Sequence, residues 1–160
     1  MSERFWARIE IGGDLHKQDL KKFCEAVEVS EEMTLLDRME DGFVVVDEEQ
    51  VAYGRFTDLE NLCQEIGLSY IRQSDGMYEY SPEYEFWQPE MPEPDYIILD
   101  HSGNEMVCMS RVRNIRDVFA AGNLERVQTL LDEAIVDLPE LPKFQMIDQK
   151  TKEKEKEQTA

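Results

Sequence analysis

Apolar and polar residues alternate along RFWARIEIGG, Arg4–Gly13, with Phe5, Ala7, Ile9 and Ile11 on one side and a glycine pair at the end. A period of two predicts a β-strand with one buried face. The period then changes. Leu20, Phe23, Cys24 and Val27 follow the i, i+3, i+4, i+7 spacing of an amphipathic helix, and Asp14 is placed to cap it. Met33, Leu36 and Met39 mark a second short helix between Ser30 and Asp41.

FVVVDEEQVAYGRF, Phe43–Phe56, reads as a hairpin turning at Asp47–Glu49. Thr57 as N-cap and Glu60 three residues on form a capping box. The helix behind it carries Leu59, Leu62, Cys63 and Ile66 on one stripe and stops at Gly67. LSYIRQ and MYEYSPEYEFW follow as strands around a Ser-Asp-Gly turn, and YIILD and EMVCMS flank His-Ser-Gly-Asn as a further hairpin. Asn114 and Asn123 are placed to cap two closing helices separated by Gly122, the second burying Leu124, Val127, Leu130, Leu131, Ala134 and Ile135.

This order of elements predicts an α+β fold: a mostly antiparallel sheet covered on one face by helices, with two helices at the C-terminal end. LKKFCEAVEVS (Leu20–Ser30) and LENLCQEIGLS (Leu59–Ser69) share L-x-x-[FL]-C-x-x-[VI]-x-[VL]-S. Each follows strand material, which makes a ferredoxin-like βαββαβ core with an extra hairpin the candidate arrangement. Residues 1–142 are expected to form this single domain and residues 143–160 a charged tail, ending in TKEKEKEQTA, that adds nothing to the core.

Charge changes the picture most. The 160 residues suffice for a continuous core, but 33% are charged and the net charge is −19. Residues 41–100 alone hold 15 acids against two bases, Arg55 and Arg72. Such a field repels nucleic acid and anionic lipid and attracts basic proteins, so direct nucleic-acid or membrane binding is not expected. Met1–Gly13 lacks the basic start and apolar run of a signal peptide, and the three cysteines form no disulfide framework. A cytoplasmic location is the expectation.

Candidate chemistry is sparse. Cys24, Cys63 and Cys108 read as buried structural thiols, and paired zinc ligands are missing from the pattern. His16 falls in a helix turn, and Asp100-His101-Ser102 reads as a polar turn rather than a triad. Arg111, Arg113 and Arg116 read as local counter-ions. No catalytic residue, metal or cofactor is assigned.

The segment YEYSPEYEFWQPEMPEPDY, Tyr78–Tyr96, packs six acids, six aromatics and four prolines into nineteen residues without a base. As a strand it puts Tyr84 and Phe86 on one face and Glu83, Glu85 and Trp87 on the other. Glu90, Glu93 and Asp95 extend the negative run along a proline-stiffened stretch. Its bland reading is a charged, proline-guarded sheet edge. The single-sign charge points instead to a partner-binding surface made of Glu79, Glu83, Tyr84, Glu85, Trp87, Glu90, Glu93 and Asp95, with Trp87 as an aromatic anchor.

In size and acidity the chain is similar to the small antirestriction and anti-CRISPR inhibitors of phages and plasmids. The likeness is one of composition; no motif of those families is present. It implies a non-enzymatic acidic protein that occupies the basic, nucleic-acid-binding surface of a protein partner, such as a nuclease. The alternative is an enzyme or enzyme subunit with a carboxylate-based metal or acid/base site.

Overall fold

The computed structural model describes residues 2–148. Its centre is a six-stranded antiparallel sheet in the order β3-β4-β1-β5-β6-β7. The strands are β1 (Arg4–Gly12), β3 (Met39–Glu40), β4 (Phe43–Ala52), β5 (Ser69–Ser74), β6 (Glu83–Trp87) and β7 (Asp95–Ile98). A short parallel pair, β2 (Asp14–His16) and β8 (Gln145–Ile147), stands apart. Three helices, α1 (Leu20–Ala26), α2 (Glu32–Leu36) and α3 (Thr57–Ile66), cover one face, and α4 (Met109–Ala120) and α5 (Leu124–Ala134) follow β7 as a helical hairpin. The fold is α+β, as the pattern of elements predicts.

The helix-bearing connections each skip one strand. β4 lies between β1 and β3, and β1 lies between β4 and β5. Alternation in β1 works as read: Ile9 and Ile11 are fully buried in one core cluster with Val44 and Val46 of β4, Tyr70 of β5 and Trp87 of β6. Phe23 and Cys24 of α1, Leu35 of α2, and Leu59 and Cys63 of α3 pack into the same core.

Several local expectations are corrected. Asp14 does not cap a helix; it belongs to β2, and α1 begins at Leu20. In α2 the buried residue is Leu35, while Met33 and Leu36 face outward. Phe43–Ala52 does not turn at Asp47–Glu49 but runs as one strand along β1. A bulge explains the misleading pattern: Phe5 pairs with Val51 and Ala7 with Glu48, so Trp6 faces the extra residue in Glu49–Gln50 and the strict alternation breaks. The tight turn lies earlier, at Asp41–Gly42, where φ values of 54° and 90° match the two left-handed positions of a primed hairpin turn.

Phe56, not Thr57, is the N-cap of α3, although Glu60 still reaches back to accept the Phe56 N–H at 3.2 Å. MYEY is a tight turn rather than a strand, with Tyr78 at φ 55°. Asn123 caps α5 as expected, accepting the Arg126 N–H at 3.1 Å, but Asn114 sits inside α4. Cys108 is the exposed N-cap of α4, neither in a strand nor buried.

Ordered structure continues past residue 142. The returning chain crosses Gly12 so closely that a Cβ there would collide with the Pro142 carbonyl oxygen. It then seats Phe144 in the core, its ring stacked on Phe23 with centroids 5.7 Å apart, and β8 adds to β2. The tail Thr151–Ala160 lies outside the described residues. No helix among the described residues is long and apolar enough to cross a membrane.

Candidate functional site

The acidic middle of the chain divides into a buried set and an exposed set of carboxylates. The buried set forms around Arg72 on β5, whose side chain is 0% exposed. Alternation puts Tyr70, Arg72 and Ser74 on the helix-covered face of β5, and antiparallel pairing sets Arg72 opposite Glu85 and Ser74 opposite Glu83 on β6. Arg72 Nη2 donates to Glu83 Oε1 at 3.1 Å and to Glu85 Oε2, and Nη1 donates to Ser74 Oγ at 3.0 Å. From the helix layer, Glu60 Oε1 comes within 2.6 Å of Arg72 Nε, an ion contact whose N–H is not aligned into a hydrogen bond. Tyr70 completes the network: its hydroxyl donates to Glu85 Oε1 at 2.8 Å and accepts from Gln64 Nε2 at 3.1 Å.

One guanidinium faces three carboxylates, so full ionisation would leave the cluster at −2. Burial works against the Arg72 charge, yet Glu60, Glu85 and Glu83 outweigh it and raise its pKa. Glu60 absorbs the excess. Burial, reinforced by the Glu85 charge, pushes its carboxyl up to about 7 despite the attraction of Arg72. Burial and the neighbouring Glu85 likewise raise the Tyr70 hydroxyl, which stays protonated as a donor.

Burial removes three residues from the surface assigned to them. Glu85 is 4% exposed, and Trp87, 7% exposed, is a core residue whose indole N–H donates to the Met91 carbonyl at 3.1 Å. Trp87 is therefore not available as an interface anchor. Glu83 is largely shielded within the Arg72 cluster, its side chain 16% exposed. Tyr84 is half-buried on the opposite face, beside Phe86 and Ile97. Glu79, Glu90, Glu93 and Asp95 are exposed. They do not form one ridge: Glu79 lies in the loop before β6, and Glu90 and Glu93 lie in the loop after it, which folds β7 back onto β6.

The exposed set extends beyond Tyr78–Tyr96. Between residues 41 and 100 the side chains outside the Arg72 cluster comprise 12 acids and one base, Arg55. Eleven of those acids are exposed and Asp100 is half-buried. Asp47, Glu48 and Glu49 project from β4, where β3 is too short to cover the strand. Asp47 is partly held by Trp6 Nε1 at 2.7 Å and Arg8 Nη1 at 3.3 Å. At the other end of the sheet, Asp14, Glu90 and Glu140 line one cleft of about 790 Å³ with Lys143.

No histidine joins the Arg72 cluster, and among the described residues no group of three or more His, Cys, Asp or Glu side chains is arranged to hold a metal ion. His101 lies in the exposed turn organised by Asp100, whose carboxylate accepts the Ser102 and Asn104 amides. Those bonds, led by the Asn104 side chain, hold Asp100 below the usual carboxylate range. Comparison with protein-family models, curated proteins and solved structures returns no match.

Proposed function

We propose that this is a non-enzymatic acidic binding protein that occupies a basic, normally nucleic-acid-binding surface of a protein partner, as an inhibitor or nucleic-acid mimic acting in the cytoplasm. The observation that carries this reading is the surface of residues 41–100, with eleven exposed carboxylates against the single base Arg55. Edge protection works equally well with lysine and does not require one sign. A field of one sign steers oppositely charged partners and excludes nucleic acid itself. The chain shares size and acidity with the small antirestriction and anti-CRISPR inhibitors, and no motif.

The enzymatic alternative would centre on Glu60, which exchanges its proton near neutral pH. The Glu60 side chain is 7% exposed, which leaves a substrate little access to it. The network is better accounted for as structure.

The test begins with affinity capture of a partner from the native host and measures binding kinetics at low and high salt. Changing Glu48, Glu49, Glu79, Glu90, Glu93 and Asp95 to amides should slow association about tenfold or more, and the wild-type rate should fall as salt rises. Salt-independent binding that tolerates all six changes would overturn the reading.

A further inference from the structure

The α4–α5 hairpin is apolar where it should be covered. No residue of α4 is buried, and Leu130 is the sole buried residue of α5. Of the sixteen large hydrophobic residues exposed among the described residues, eleven fall between Tyr96 and Leu138, so the unpaired apolar surface is concentrated at this end of the molecule. Met109, Val112, Ile115 and Phe119 recur at helical spacing along α4, and Val112 and Phe119 are 40% and 61% exposed. Leu124 of α5 and Ile135 at its C-cap are 64% and 61% exposed, contrary to the burial expected for that stripe. Seven of those eleven, Val112 and Ile135 among them, line a cleft of about 930 Å³ between the hairpin and β7, while Met109, Phe119, Leu124 and Leu138 lie outside it. Short helices take most of their stability from packing of an apolar face, and contiguous exposed apolar surface marks an interaction site.

Charge identifies the occupant. Residues 105–136 carry five acids and four bases, close to neutral in a chain of net charge −19. This is where a second, equally acidic copy meets the least repulsion. The two helices are also complementary to each other. Arg111, Arg113, Arg116 and Asp117 give α4 a net charge of +2, and Glu125, Arg126, Asp132 and Glu133 give α5 −2. Within one copy little of this charge is used: Arg126 pairs loosely with Glu133 at 3.9 Å, and Arg116 with its neighbour Asp117. A two-fold axis brings α4 of one copy to α5 of the other and satisfies both helices at once. A basic partner would find nothing at this face that the acidic surface does not offer more strongly.

We infer that the α4–α5 hairpin is the contact face of a homodimer, α4 of each copy packing against α5 of the other to form a four-helix layer. This inference stands independently of the acidic-surface reading, since it uses the part of the chain that the reading leaves out.

Sedimentation of the intact chain across micromolar concentrations at physiological salt should reveal a reversible monomer–dimer equilibrium. Changing Arg111, Arg113 and Arg116 to Glu should weaken the dimer about tenfold or more, and so should changing Glu125, Asp132 and Glu133 to Arg. Combining the two sets should restore most of the lost affinity. If either set unfolds the hairpin, hydrogen exchange on the wild type replaces it: amides of α4 and α5 should gain protection as protein concentration rises, while those of β1 stay constant. A wild type that remains monomeric overturns the inference, as does a dimer unaffected by both charge sets or exchange that ignores concentration.

Discussion

Glu85 and Glu90 lie five residues apart in one acidic stretch and meet opposite fates. Glu85 is 4% exposed, bonded to Arg72 and Tyr70, while Glu90 stands in solvent beyond the end of β6. The difference is not in the residue or its immediate neighbours. It lies across the strand, where pairing sets a guanidinium opposite Glu85 and leaves Glu90 in a loop. A run of acids is therefore not one feature. Those that meet a buried cation become part of the scaffold, and those that do not supply the field.

The largest effect is expected at Arg72. Replacing it with Met would leave Glu60, Glu83 and Glu85 desolvated without a counter-ion, and breaking a buried ion pair from one side costs about 3–5 kcal/mol. Urea unfolding should reveal a loss of that size. Adding Glu60→Gln and Glu85→Gln to Arg72→Met should recover part of it, because the uncompensated charge is removed along with its partner. Unchanged stability in the single variant would mean that the cluster contributes nothing to the fold.

The next effect is a pH dependence with a defined sign. In the folded protein Glu60 titrates at about 7, against an ordinary 4.5. Between those values the native state holds a proton that the unfolded chain has lost, so the contribution of Glu60 to stability is fully present below pH 4.5 and is lost as pH rises to about 7. At about 1.4 kcal/mol per pH unit the ceiling is about 3 kcal/mol. Glu60→Gln keeps the shape of the side chain without the titration. Unfolding measured from pH 4.5 to 8 should fall less steeply for this variant than for the wild type. Parallel curves would remove Glu60 as the site of the excess proton.

How much of this could be read beforehand depends on what each element is judged by. Period-two alternation in β1 is local, and Phe5, Ala7, Ile9 and Ile11 are all buried as read. The same rule placed Glu83, Glu85 and Trp87 on one face of β6, which is right. Alternation cannot say which face the helices cover, so carboxylates beside a tryptophan read as a surface. A clue existed in Arg72, one of two bases in sixty residues, in register with Tyr70 at an apolar position of its strand. Asp47–Gln50 misled for a different reason: the bulge at Trp6 interrupts the period, and four exposed residues in succession look like a turn. The hairpin at Asp41–Gly42 did carry a local signal, the Asp-Gly pair. In α5 the apolar stripe was legible, but its exposure depends on what lies beside it, which no local pattern encodes.

The smallest effect on stability separates the two sets of acids most cleanly. Glu79, Glu90 and Glu93 make no buried contact, and Asp95 accepts only the amide of its neighbour Tyr96 at 2.8 Å. Surface substitutions of this kind change stability by about 0.5 kcal/mol or less. Converting all four to amides also removes four like charges from a chain of net −19, which relieves self-repulsion and favours the folded state slightly. Glu85→Gln, equally conservative in shape, should instead cost about 1–3 kcal/mol, since the amide cannot accept from both Arg72 and Tyr70 and leaves a buried donor unpaired. Thermal unfolding of the two variants side by side reads the contrast directly. The quadruple amide should match or slightly exceed the wild type, and Glu85→Gln should fall below both. A destabilised quadruple variant would mean that the exposed carboxylates also hold the fold, and the division between scaffold and field would fail at its second half.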